Sequence, residues 1–345
     1  MKIIIDAMGG DHAPEEIVKG AVLARKQLGY DLILVGREAD IRRCLAAEGA
    51  ENDPGITVHH APDVIDMNDD PTAAIRRKKE SSMVVALNLL KDGEGDAVVS
   101  AGSTGALLTG ATLIVRRIKG IRRAAMAPAL PNLGAGALLI DCGANAECTP
   151  EFLLQFGLVA SAYSKYTLGV ENPKVGLLNI GTEDSKGTQL QKDAYALLKD
   201  AGDKGLLNFT GNVEARDVPL GAVDVIVCDG FAGNVLLKSI EGTAMFMGSM
   251  MKKMFKKNVL SKLGYLLCAS GVKDMMKLLD YREIGGTPFL GIRKPVIKAH
   301  GSSDALAFRN AVKQAADTAS ADISGELEAE LQRLAAAKEG MTQND

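Results

Sequence analysis

The chain is poor in the features that announce several common functions. Its five cysteines (Cys44, Cys142, Cys148, Cys228 and Cys268) are scattered and form no CxxC pair. Neither a disulfide framework nor a cysteine-based zinc site is expected, and a reducing compartment is. There is no charge excess: 40 basic against 43 acidic residues leave −3, which argues against a general nucleic-acid binder. The start, MKIIIDAMGGDHAP, interrupts with Asp6 and a glycine pair the apolar core that a signal peptide needs. A cytoplasmic location is the expectation.

Long apolar spans are missing too. Residues 97–115 and 124–140 are uncharged, yet the first holds glycines and hydroxyl residues and the second Pro128 and Pro131. A spanning helix needs about 20 predominantly apolar residues, so strand–loop–helix fits both stretches better. No GxxxxGK[ST] offers a phosphate loop for ATP, and no GxGxxG follows the first apolar run. No HExxH or paired Cys/His spacing suggests zinc, and no GxSxG marks a hydrolase-type serine. Neither a cofactor nor a metal is expected.

What is present is one repeated pattern: a short apolar run, a glycine-rich loop, then a helical stretch. It occurs at IIIDAMGGDHAP (3–14), AVVSAGSTGA (97–106), ALLIDCGAN (137–145), VGLLNIGTEDSKG (175–187) and VDVIVCDGFAGN (223–234), with further strands at Asp31–Val35 and Ile56–His60. The runs are unbroken rather than alternating, as in strands covered on both faces. The prediction is an α/β fold, a three-layer α/β/α unit with a mostly parallel sheet. Pro14 is placed at a first helical position, with Glu15 and Glu16 in the first turn. Residues 245–280 read as a Met- and Leu-rich helical extension and 303–338 as helix. Residues 1–330 then form a single catalytic unit, and 331–345 a frayed tail. Because ligands in such sheets bind beyond the carboxyl ends of the strands, the glycine-rich loops are expected to wall one crevice.

Loops of that kind bind anions through backbone N–H groups. AGSTGA, with Gly102, Ser103, Thr104 and Gly105, and HGSSDA, with His300, Gly301, Ser302 and Ser303, are the best candidates; helix caps at Ser103 and Ser303 are the plain alternative. His12 and His300 are two of only four histidines and both lie in glycine-bearing turns, so either can orient phosphate or simply bond to nearby backbone. Lys186, beside Glu183 and Asp184, is the cation expected against phosphate or an oxyanion, unless it is a solvated loop lysine. Asp6, Asp141 and Asp229 end strands and fit loop-fastening roles. Asn145 and Asn234, read as turn residues, are amide donors in the sharper reading. Cys142 and Cys228 suit buried small hydrophobes better than nucleophiles.

Two surfaces stand out. Arg76, Arg77, Lys78 and Lys79 form one cationic run, and Arg116, Arg117, Lys119, Arg122 and Arg123 a second cluster. They suit an acidic partner or are solvated helix faces. Around 247–267, Met247, Met251, Met254, Phe255 and Val259 recur at helical spacing beside Lys252, Lys253, Lys256 and Lys257. Such a helix can lie on an anionic membrane or form a dimer or core stripe.

In order along the chain, MGGDHAP, SAGSTGA, DCGAN, LLNIGTED, CDGFAGN, IGGTPFLG (284–291) and HGSS resemble the bacterial phosphate acyltransferases, from residue 1 to about 320. Ser103 stands where the family usually carries Asn, and Thr287 where it usually carries Ala. The resemblance implies a fold like that of isocitrate and isopropylmalate dehydrogenases and phosphotransacetylases. It further implies a homodimer, peripheral membrane attachment and functional coupling to a glycerol-phosphate acyltransferase. The implied reaction moves an acyl group from acyl carrier protein to inorganic phosphate for phospholipid synthesis. On it we place Lys186, Asn234 and His12 as catalytic residues. Gly102, Ser103, Thr104, Gly105, Asn145, Glu183, Asp229, His300, Gly301, Ser302 and Ser303 are placed at the phosphate and acyl group. The alternatives are a coenzyme A-dependent phosphotransacetylase, a decarboxylating NAD-dependent dehydrogenase and a non-catalytic membrane scaffold.

Overall fold

A computed structural model describes residues 1–278, 285–321, 323, 325, 327 and 328. The chain runs β1 (Lys2–Asp6), α1 (Glu15–Leu28), β2 (Asp31–Gly36), α2 (Glu38–Ala47), β3 (Ile56–His60), α3 (Pro71–Arg77), α4 (Ser82–Asp92) and β4 (Ala97–Ser100). Next come α5 (Thr104–Gly110), a π-helical turn (Ala111–Val115), β5 (Ala125–Met126), β6 (Ala129–Leu130), β7 (Ala137–Ile140), α6 (Pro150–Leu168), β8 (Lys174–Asn179) and α7 (Gln189–Asp203). The remainder is β9 (Asn208–Glu214), β10 (Val225–Val227), α8 (Gly230–Phe255), α9 (Val259–Leu278), β11 (Thr287–Leu290), β12 (Val296–Lys298) and α10 (Ala305–Ser320).

The strands form two sheets, in the orders β3-β2-β1-β4-β12-β11-β5 and β6-β7-β10-β8-β9. Among the described residues, antiparallel pairing between strands is confined to β11 with β12 and β5, and to β6 with β7, with one isolated antiparallel bridge between Arg117 and Ile292. The α/β class and the mostly parallel arrangement hold. The division into two sheets was not foreseen, and its origin is local. In the 124–140 stretch, where strand–loop–helix was expected, there are three strands and no helix. Met126 pairs with β11 in the first sheet, while Ala129 already pairs with β7 in the second. Pro128 between them has no N–H to extend either ladder.

The unbroken apolar runs are buried on both faces, as Ile3, Ile4 and Ile5 of β1 show, all without exposure. α1 and α10 cross closely at Gly20, where an added Cβ would stand 2.7 Å from the Ala305 carbonyl. Pro14 is the residue preceding α1 rather than its first. The Met-rich helical segment begins earlier than residue 245. Asp229 caps α8 by accepting from the Ala232 amide at 2.9 Å, so the GFAGN stretch is the first turn of a 26-residue helix. Asn234 is therefore helical, not a turn residue. Residues 279–284 and 331–345 lie outside the described residues, including the expected frayed tail, as does most of the expected helix beyond 321.

α8 is seated on the loop after β7. A Cβ at Gly233 would come 1.9 Å from the Asp141 carbonyl oxygen, so only glycine permits this approach. Gly233→Ala is expected to lower stability by about 1–3 kcal/mol, as overpacking does, read as a reduced urea midpoint with unchanged slope.

Candidate active site

Three adjacent parallel strands end in polar residues at the same level. Asp6 closes β1 opposite Ser100 of β4, and Ser100 in turn stands opposite Lys298 of β12. All three are buried, Lys298 to 7% exposure. The Ser100 hydroxyl donates to Asp6 Oδ2 at 2.6 Å and accepts from the Gly102 amide at 3.1 Å. Lys298 Nζ donates to the carbonyl of Ala101 at 3.2 Å and to that of Ala299. Burial raises the pKa of Asp6 against the opposing effect of its Ser100 and Ser82 hydrogen bonds. Burial likewise lowers Lys298 to about 8, although Asp11 and Asp6 favour its charged form.

The glycine-bearing loops gather over this row. Gly9 sits so near Asp6 and Gly102 that a Cβ would lie 2.6 Å from Asp6 Oδ2. Asp11 donates its amide to Gly301 O at 2.8 Å. A cleft of 480 Å³ opens above them, with Asp11, Thr104, Lys298, His300, Gly301 and Asn234 in its lining. Its other wall is apolar: Met126, Pro128, Leu130 and Pro131 come from the segment that switches sheets, and Leu237 and Ile240 from α8.

His300 Nδ1 accepts from the Ser302 amide at 3.2 Å and pairs with its hydroxyl at 2.8 Å. Desolvation first, then Lys298 and Lys238, lower its pKa. The imidazole is neutral near pH 7, and with Nδ1 accepting, its proton sits on Nε2. Cys142 also lines the cleft, but burial pushes its thiol up to about 12. Burial raises Cys228 far above its ordinary value too.

Of the residues expected at the site, Thr104, Asn234, His300 and Gly301 line this cleft. Gly102 lies directly beneath, tied to Ser100. Ser103 caps α5 by accepting from the Ala106 amide at 3.5 Å. The cap of α10, however, is Asp304 rather than Ser303, which is buried. Gly105 packs near Pro71, where a Cβ would come within 2.9 Å. His12 is exposed and outside the lining; its neighbour Asp11 takes that place. Lys186 and Glu183 lie on the exposed loop after β8, 3.9 Å apart and away from the cleft lining. Asp229 caps α8. Asn145 donates to Ala124 O at 2.9 Å and to Asp141, which also accepts the amides of Met126, Cys142 and Asn145. Asp141 is thus a fastener between the sheet-switching segment and the loop after β7, and Asn145 belongs to that clasp.

Some of the backbone amides expected to hold the anion are engaged within the fold. Those of Gly102, Ser302, Ser303 and Ala305 bond to Ser100, His300, His300 and Glu16. Besides Lys238 of α8, which pairs with Glu241 at 2.7 Å, the cation in the cleft lining is the buried Lys298. Sequence reading missed it because VIKAH reads as an ordinary strand with one outward lysine. The available signal was its place two residues before His300.

A protein-family model described as "Fatty acid synthesis protein" matches residues 1–325. A phosphate acyltransferase of Alkaliphilus oremlandii is 50% identical over 91% of the chain and 92% of its own length. One of Thermoanaerobacterium thermosaccharolyticum is 46% identical over 97% and 98%. Among solved structures, a phosphotransacetylase from Streptococcus pyogenes shares the fold with TM-score 0.61 at 20% identity, covering 92% of this chain and 94% of its own. A putative 4-hydroxythreonine-4-phosphate dehydrogenase from Salmonella typhimurium does so at TM-score 0.53 and 17% identity, over 92% and 99%.

Replacing Ser100 by Ala is expected to cost roughly 1–3 kcal/mol, because it strips a hydrogen bond from the buried Asp6 carboxylate. A carboxyl of raised pKa loses stability as pH rises through that pKa. The deficit, measured by urea denaturation, should therefore be larger at pH 8 than at pH 5.

Proposed function

The chain belongs to the fatty acid synthesis protein family and is an acyltransferase, and from that membership we propose that its cleft moves a fatty acyl group from acyl carrier protein to inorganic phosphate. The products are acyl phosphate and free carrier protein. The observation that carries the reading is Lys298: a cation held in a desolvated pocket, beside a neutral histidine and facing an apolar wall. That arrangement suits a phosphate at one end and an acyl chain along the other.

In this scheme phosphate lies between Lys298, Nε2–H of His300 and the Thr104 hydroxyl. One phosphate oxygen attacks the thioester carbonyl, the C–O bond forms, and the side-chain amide of Asn234 donates to the developing oxyanion. Collapse breaks the C–S bond and releases the thiolate. The proton of hydrogen phosphate equals the one the departing thiol requires, so the transfer balances without external acid. Holding both reactants in one cleft supplies much of the rate advantage. Direct attack is favoured over an acyl-enzyme because the cleft thiol, Cys142, stays protonated at pH 7.

Both sheets contribute to the cleft, which supports reading residues 1–330 as one catalytic unit. Among the described residues no helix is long and apolar enough to cross a membrane. Yet α8 and α9 carry Met245, Met254, Leu260, Leu263 and Leu267 exposed, the last to 90%, with Lys252, Lys253, Lys256 and Lys257 beside them. We read 247–267 as the surface through which a cytoplasmic homodimer rests on an anionic bilayer. There it would pass acyl phosphate to a glycerol-phosphate acyltransferase for phospholipid synthesis.

The test is phosphate-dependent release of thiol from long-chain acyl carrier protein by the purified chain; no release sinks the proposal. Lys298→Ala is expected to lower kcat/KM about 10²–10³-fold, the usual loss for one aimed donor. Lys186→Ala is expected to fall by much less; comparable losses would return Lys186 to the site. Lys298 is charged below its pKa, so kcat/KM for phosphate should fall as pH rises past about 8. A flat profile to pH 10 would dismiss this lysine.

A further inference from the structure

Beside the active cleft lies a second one, of 320 Å³, that the reaction above leaves unused. Three guanidiniums line it: Arg76 from the last turn of α3, and Arg117 and Arg123 from the segment after the π-helical turn. The hydroxyl residues Thr72, Thr109 and Thr112 join them, and no carboxylate belongs to the lining. Among the described residues no Asp or Glu pairs with any of these three arginines. This contrasts with Lys78 in the same cationic run, which is folded back onto Asp69 at 2.6 Å and Val64 O at 3.0 Å.

The arginines are positioned rather than loose. The Arg123 guanidinium stands 5.8 Å over the Phe152 ring, and Arg117 donates to the Arg122 carbonyl. The π-helical turn that delivers this segment ends at Arg116 with φ +75°, the one non-glycine of positive φ among the described residues. π-turns and such strained backbone recur at functional sites. Three like charges in one cleft repel one another, and a bound phosphate relieves that repulsion. Guanidinium forks also match phosphate oxygens two at a time.

The two clefts share their walls. Thr104 lines the active cleft, while Leu108 and Thr109, about one turn or 6 Å further along α5, line the second. Met126 faces the first and Ala124 the second; Gly143 borders the first and Ala144 the second. A long, flexible donor can place one end in each.

We propose that the Arg76–Arg117–Arg123 cleft holds the phosphate of the phosphorylated pantetheine arm on which the acyl donor carries its thioester. The inference rests on the thioester-to-phosphate reading of the active cleft and adds where the donor is gripped. The chemistry is shared by carrier-borne and coenzyme A-borne arms, and the test separates them.

Phosphate-dependent thiol release is measured with one acyl chain on three thiols: acyl carrier protein, coenzyme A, and pantetheine, which lacks the phosphate. In Arg76→Ala/Arg123→Ala, the preference for each phosphorylated donor over the pantetheine thioester, as a ratio of kcat/KM, should shrink at least tenfold. In the unaltered enzyme, rising ionic strength should raise KM for the phosphorylated donors and leave that for the pantetheine thioester in place. This arm needs no variant. An unchanged preference overturns the proposal. So does a loss confined to the carrier-borne donor, which would assign the arginines to the carrier's acidic surface instead. If the unaltered enzyme transfers from none of the three thioesters, the reading of the active cleft fails first and takes this one with it.

Discussion

The row Asp6–Ser100–Lys298 is the constraint around which this molecule is arranged. Three parallel strands end at one level, and each contributes a polar residue that is buried rather than solvated. Burying an ion costs several kcal/mol unless partners compensate, and here the partners come from the strand ends and the loops that follow. Ser100 satisfies Asp6 and positions Gly102; Lys298 is held by two backbone carbonyls. The loops carrying Asp11 and Gly301 are then drawn together over the row, and the cleft exists because they meet there. A cation held this way keeps its charge only narrowly, since burial has brought Lys298 down to about 8.

The same dryness sorts the other groups in the cleft. It keeps the Cys142 thiol protonated and, together with Lys298 and Lys238, lowers the pKa of His300, leaving Lys298 as the positive charge most desolvated there. The apolar wall adds to this by excluding water along the route an acyl chain would take. That wall depends on the crossing between sheets at residues 126–131 and on α8. Both are secured by Asp141, whose carboxylate collects three amides while its carbonyl accepts close approach by Gly233. Asp141 therefore acts on the site at one remove, by fixing where Asn234 and Pro128 stand.

Charge on the outside follows a different logic. Lys78 is consumed by local pairing, and most exposed ion pairs here join residues of one helix or loop, where they contribute little. The arginines of the second cleft differ, being grouped in a lining without carboxylates. They share their cleft with Leu108 and Thr109, which stand about one helical turn from Thr104 along α5.

Apolar runs followed by glycine-rich loops made the alternation of strand and helix legible in the sequence, and with it the gathering of the loops at 9–11, 101–104 and 300–303 beyond the strand ends. Strand periodicity and glycine are local properties, so they survive being read one residue at a time. Ser103 as a cap was similarly readable, as a side-chain–backbone bond within three residues, whereas the cap expected at Ser303 falls on Asp304 and Asp229 proves to be a cap that was not read as one. Tertiary structure decided the rest. Whether Lys186 or Lys298 lies at the cleft depends on which strand end is buried beneath the meeting loops, and the one local signal, His300 two residues after Lys298, does not by itself encode that. The division into two sheets, the clasp at Asp141 and the pairing of the two clefts across α5 likewise join residues far apart in the chain. Desolvation belongs to the assembled fold, and it is desolvation that sets the cleft's buried Lys298 apart from an ordinary strand lysine.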